Sequence, residues 1–102
     1  MAGIHVGDIG TELTMTITEN GSFVDISGAQ SKDFHFEKPG GNEIIKSASF
    51  VTDGSDGQLQ YTVQDGDLDE SGLWAIQAEI VDSEGNTFHS DIKTFQVDEN
   101  II

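Results

Sequence analysis

Asp69-Glu70-Ser71-Gly72-Leu73-Trp74-Ala75-Ile76-Gln77-Ala78-Glu79-Ile80 is the stretch on which the fold turns. Trp74, Ile76, Ala78 and Ile80 share one parity, with Gln77 and Glu79 on the other. Successive side chains of a strand point to opposite faces, so this spacing predicts a half-buried strand with Trp74 inward. An acidic, glycine-containing corner precedes the strand, and Ser83-Glu84-Gly85-Asn86 closes it with turn chemistry.

The same period recurs on both sides. Upstream, Leu59, Tyr61 and Val63 alternate after the Asp53-Gly54-Ser55-Asp56-Gly57 turn. Ile44 to Val51 reads as one longer strand with Ala48 and Phe50 on a common face. Phe34 and Phe36 flank His35, and Pro39-Gly40-Gly41-Asn42 turns the chain after them. Leu13, Met15 and Ile17 alternate with threonines up to Asn20-Gly21, the preferred pair for a type I′ hairpin, where both residues need positive φ. Phe23, Val24 and Ile26 form the returning strand, and Ile4 and Val6 a short opening one. Downstream, Phe88, Ser90 and Ile92 have one parity, Phe95 and Val97 the other. One extra residue near Lys93 or Thr94, a β-bulge, would bring both sets to the core. No stretch repeats at the helical period. About seven or eight short antiparallel strands, with turns between them, predict an all-β, immunoglobulin-like sandwich. Residues 1–102 read as a single domain, with 98–102 a frayed or docking tail.

Charge excludes whole classes of partner. Nineteen Asp and Glu stand against four lysines, giving a formal net charge of −15. Lys32, Lys38, Lys46 and Lys93 are widely spaced, whereas nucleic-acid binding needs clustered cations to neutralise phosphates. An anionic membrane surface is excluded on the same ground. No apolar run approaches the ~20 residues that span a bilayer, and Met1 to Asp8 lacks the features of a signal peptide. Cysteine is absent, so disulfides, thiolate metal sites and cysteine nucleophiles are excluded.

The corner before Trp74 resembles the E–F corner of immunoglobulin domains, with Trp74 at the aromatic position and Ile76 where the core cysteine would stand. Nearly the whole chain is similar to the immunoglobulin-like domains of tailed-phage structural proteins, of the baseplate upper protein type. The likeness rests on Ile4-His5-Val6-Gly7-Asp8, Val24-Asp25-Ile26-Ser27-Gly28-Ala29 and Glu37-Lys38-Pro39-Gly40-Gly41. Tyr61 with Gly66-Asp67-Leu68-Asp69, and Gly72-Leu73-Trp74, complete it. These are scaffold residues. The resemblance implies a virion component of tail, baseplate or capsid surface, made in the host cytoplasm, and no catalytic activity.

The chemical candidates are few. His5, His35 and His89 lie opposite in parity to apolar neighbours, as outward-facing strand residues do. No pair has the short spacing of a zinc site, and no Gly-x-Ser-x-Gly elbow is present. Asp65, Asp67 and Asp69 have a D-x-D-x-D spacing, which makes them a calcium candidate. Glu70 and Ile76 occupy the places where an EF-hand loop has Gly and Glu, so this is no EF-hand. The alternative is ordinary turn chemistry, with the carboxylates bonding nearby backbone N–H groups.

The reading is a non-enzymatic, cofactor-free virion protein, present in many copies, that docks on other virion proteins. Ile4, Val6, Ile101 and Ile102 are the docking candidates; Trp74, Ile76, Tyr61, Phe34 and Phe36 the core. The alternative is an adhesive module that recognises a host-surface glycan or protein through its loops. Exposed loop aromatics would distinguish it, and the predicted loops carry almost none.

Overall fold

The computed structural model describes residues 4–101, and they are all-β. In chain order the strands are β1 (Ile4–His5), β2 (Glu12–Thr16), β3 (Thr18–Glu19), β4 (Ser22–Phe23), β5 (Ser31–Glu37) and β6 (Glu43–Ser47). Then come β7 (Ser49–Phe50), β8 (Gln58–Thr62), β9 (Gly72–Val81), β10 (Thr87–His89) and β11 (Lys93–Asp98). The larger sheet runs β1-β11-β9-β5-β6, with β10 also on β9, and the smaller runs β2-β8-β7. Strands β11-β9-β5 and β2-β8-β7 reproduce the G-F-C and B-E-D orders of the immunoglobulin sandwich.

Three expected strands are each broken, which raises the strand number to eleven. At Ile17 the chain leaves β8: the Ile17 N–H bonds Gly57 O at 2.8 Å, its side chain stays buried, and β3–β4 closes as a separate hairpin. Asn20 and Gly21 turn this hairpin with φ of 52° and 82°, the left-handed pair that a type I′ turn demands. Phe23 on its returning strand is 67% exposed, while Ile26 beyond it is buried. At Ala48 the predicted long strand changes sheets, β6 pairing with β5 and β7 with β8. Such corner crossings link the layers of a sandwich, and a small side chain suits the bend.

The third break is the expected bulge, displaced upstream. His89 faces Glu79 and Lys93 faces Ile76, so three residues, Ser90 to Ile92, lie against Gln77 and Ala78. Ser90 holds the ladder together there. Its N–H bonds Ala78 O at 3.0 Å, and its hydroxyl accepts the Ala78 N–H at 2.8 Å. Ser90 is buried and Val97 reaches the core, but Ile92 is expelled to 64% exposure. The expectation that Ile92 points inward is therefore corrected.

Between the layers, Trp74, Phe34, Met15, Ile17 and Leu59 are almost wholly shielded, and Phe36 and Ile76 are 3% exposed. Phe34, Phe36, Tyr61 and Trp74 meet edge to face, with centroids 5.9–6.5 Å apart. Each large apolar side chain shielded in this way contributes about 1.5–3 kcal/mol. Tyr61 is half-buried, because its hydroxyl turns toward the corner that follows β8.

Candidate functional site

The corner between β8 and β9 lies where the sequence resemblance places an E–F corner. The Trp74 indole N–H donates to the Glu70 carbonyl at 3.1 Å, four residues upstream. A tyrosine corner ties its hydroxyl to upstream backbone in the same manner. Gly72 opens β9 at φ 126°, and a Cβ there would sit 2.8 Å from Pro39 Cγ. Only glycine fits that close approach of the two corners.

Asp67 is the polar centre of this corner. It is 8% exposed and accepts hydrogen bonds from the Tyr61 hydroxyl and, at 2.8 Å, the Gln64 N–H. Lys46 Nζ lies 3.2 Å from its other oxygen. Burial pushes the Asp67 pKa up, but the bonds from Tyr61, Gln64 and Lys46 outweigh it and hold the carboxyl below its ordinary value. Tyr61 is pushed up, first by burial and then by the hydrogen bond and charge of Asp67.

The three aspartates of the calcium candidate are directed differently. Asp67 faces inward, Asp69 pairs with Lys38 at 2.9 Å, and Asp65 is exposed. Among the described residues no group of three or more His, Asp or Glu is gathered to hold a metal ion. On the outer face of the larger sheet, Glu79 lies 3.5 Å from His35 Nε2 and 2.9 Å from His89 Nε2, and Glu43 lies 3.3 Å from His35 Nδ1. His35 and His89 thus face outward as expected, while on β1 the Nδ1 of His5 is buried and has no hydrogen-bond partner among the described residues.

The docking candidates separate. Ile4 pairs with Val97 in the parallel β1–β11 ladder, and both Ile4 and Val6 pack against the core. Ile101 is fully exposed, and Ile102 lies outside the described residues. Asp98, expected in the tail, belongs to β11 and pairs with His5. Beyond it Glu99 accepts from the Ser71 hydroxyl at 3.2 Å, and the Asn100 amide donates to Val6 O at 2.7 Å. The terminal segment is thereby tied back to β1 and the corner, with Ile101 projecting from the tie.

The sequence reading missed Ile45 and Leu73, which are 56% and 59% exposed on the outer face of the larger sheet. Ile44 and Ile45 are adjacent in one strand, so one of them must face out; that signal was available.

The family model of the BppU N-terminal domain matches residues 2–102. The chain belongs to that family. The BppU N-terminal domain is that of the phage baseplate upper protein, so the chain is a baseplate structural protein and virion-associated. No curated protein sequence matches it. Among solved structures it is similar to CopC from Methylosinus trichosporium OB3b, with TM-score 0.57 and 14% identity over all of this chain and 89% of that one. At that identity the likeness to CopC concerns the fold alone.

The BppU N-terminal domain here carries its formal charge of −15 on a small body. Two of its four lysines are spent on Asp67 and Asp69, and Lys32 lies 4.7 Å from the centre of the Phe50 ring. Folding concentrates the surplus carboxylates, and salt screens their repulsion beyond ~10 Å at 0.1 M. The melting temperature therefore rises between low and moderate NaCl, as thermal unfolding followed by Trp74 fluorescence will record. A flat or falling curve shows that the carboxylates do not oppose folding.

Proposed function

We propose that the chain acts as one folded, non-enzymatic unit that docks on other virion proteins through the end of the sandwich carrying the E–F corner, the segment between Val6 and Gly10, and residues 99–101. Membership of the BppU N-terminal domain family over residues 2–102 carries this reading. The build of that end supports it. The chain between Val6 and Gly10 is tied to the corner by bonds from Gly7 N–H to Leu68 O and Gly10 N–H to Val63 O. Ile9 projects from this segment with 64% exposure, and Ile101 projects beyond β11. The most buried carboxylate, Asp67, is occupied by three partners and serves the scaffold.

A fully buried isoleucine contributes up to ~1.5–3 kcal/mol, too little alone for tight binding. Many copies on one particle supply the rest through avidity. Deleting Ile101 and Ile102 is expected to leave melting unchanged and to lower occupancy on particles, measured by quantitative mass spectrometry of purified virions. Unchanged occupancy removes the C-terminal anchor from the account and shifts the contact to Ile9. Particles that lack the protein altogether overturn the docking reading.

A further inference from the structure

We propose that two copies of this chain associate edge to edge through β6, antiparallel, about a two-fold axis at Ile45. The strand ends the larger sheet, and among the described residues nothing pairs on its far side. The phase of its hydrogen bonds follows from two contacts with the β5 side: Lys38 N–H to Asn42 O at 2.8 Å, and Ala48 N–H to Lys32 O at 2.9 Å. In an antiparallel ladder these bonded pairs recur every second residue, so Ile44 and Lys46 also point their main-chain groups at β5. The N–H and C=O of Glu43, Ile45 and Ser47 therefore point to the open edge. An unpaired row of this kind is a template for another strand unless charge, proline or a bulge protects it. Here the residue at the middle of the row is an isoleucine with 56% of its surface exposed.

A second copy fits this edge residue by residue. With the axis at Ile45, each Ile45 faces its counterpart and exchanges two backbone bonds with it. Glu43 faces Ser47 of the second copy, and Ser47 faces Glu43 of the second copy, so no like charges stand directly opposite. Each Ser47 hydroxyl is placed to donate to a Glu43 carboxylate. On the inner face Ile44 meets the aliphatic stem of Lys46 of the second copy. The other long edge lacks this feature. In β2 the residues whose main-chain groups point to the open side are Glu12, Thr14 and Thr16, with no apolar side chain at the middle of the row.

Five paired residues make a contact below the ~1,200 Å² of stable interfaces, so the association is weak in solution and gains from crowding on a particle. The charge of −15 on each copy opposes it, and salt relieves that opposition. Analytical ultracentrifugation of the 102-residue chain at ~0.5–1 mM is expected to show a dimer fraction that grows with NaCl. Hydrogen exchange at the Glu43, Ile45 and Ser47 amides is expected to slow as protein concentration rises. Ile45→Lys should weaken association ~tenfold or more, since like charges would then face each other on the axis. Ser47→Lys, placing lysine opposite Glu43 of the second copy, should strengthen it, and Ser47→Glu should weaken it. Both sites are exposed, so unchanged melting confirms that each of the three variants is folded. A chain that stays monomeric at every salt concentration overturns the proposal, as does a dimer indifferent to these substitutions. Ile45→Lys lowering particle occupancy while the isolated chain remains monomeric also overturns it, and assigns the edge to a strand of another virion protein.

Discussion

Trp74→Ala is expected to lower the unfolding free energy by about 3–5 kcal/mol, the range for large aromatic truncations in packed cores. Trp74 is wholly buried in the middle layer. Its ring stacks on Phe95 with centroids 6.0 Å apart and meets Phe36 edge to face at 6.4 Å. Truncation leaves a cavity between the sheets and removes the indole N–H that holds the Glu70 carbonyl. Domains of this size have a total stability of about 5–15 kcal/mol, so the loss is a large share of it. The fall in melting temperature is on the order of 20 °C. Trp74→Phe keeps most of the burial and loses the corner bond, so it should fall well short of the alanine effect. Urea unfolding of the three proteins gives the comparison. A loss below about 1 kcal/mol for the alanine variant contradicts the inward face assigned to β9.

How far that face could be read in advance depends on what alternation encodes. Parity tells which side of a strand is buried, and for Trp74, Ile76, Ala78 and Ile80 it told it without ambiguity. Asn20-Gly21 was legible for a different reason, since few residue pairs tolerate two consecutive positive φ angles. Parity does not tell which sheet a strand joins. Ile44 to Val51 keeps its pattern through Ala48 because both sheets bury their residues against the same core, so the crossing leaves no mark in the period. The Ser90 break shows the converse. The phase change was visible, but its position depended on a serine hydroxyl standing in for a backbone carbonyl, which periodicity does not carry.

The site was less legible than the fold. Ile4 and Val6 look like a free apolar end until the parallel pairing with β11 is seen, and that contact joins residues more than ninety positions apart. D-x-D-x-D at Asp65 to Asp69 suggests converging oxygens, yet Lys46 and Lys38 reach it from the β5–β6 hairpin and draw two of the aspartates apart. Counting charges along the sequence shows these lysines only as widely spaced.

Asp67→Asn is expected to destabilise the fold by about 2–3 kcal/mol at neutral pH, the scale of a buried hydrogen-bonded charge. The variant keeps the shape, but its amide turns N–H groups toward donors. The carboxylate of Asp67 accepts from Tyr61 and Gln64 while facing Lys46, and one amide oxygen does not serve all three. The pH dependence separates this from a packing effect. Asp67 has a folded pKa below its ordinary value of about 3.9 despite the burial that opposes ionisation. Its contribution is therefore complete above that value and is lost as pH falls through the folded pKa. The gap between wild type and Asp67→Asn should accordingly be widest at neutral pH and close in strong acid. Asp25, Asp53 and Asp82 also have lowered values, from turn hydrogen bonds, but both proteins share them and they cancel in the difference. At the alkaline end Tyr61 has a raised pKa, so its contribution is present below the ordinary value of about 10 and is lost as pH rises through the folded one. Denaturant midpoints for both proteins across the acid range give the test. A gap that stays constant from neutral to strongly acid pH assigns the cost to packing and removes Asp67 as the charged centre of the corner.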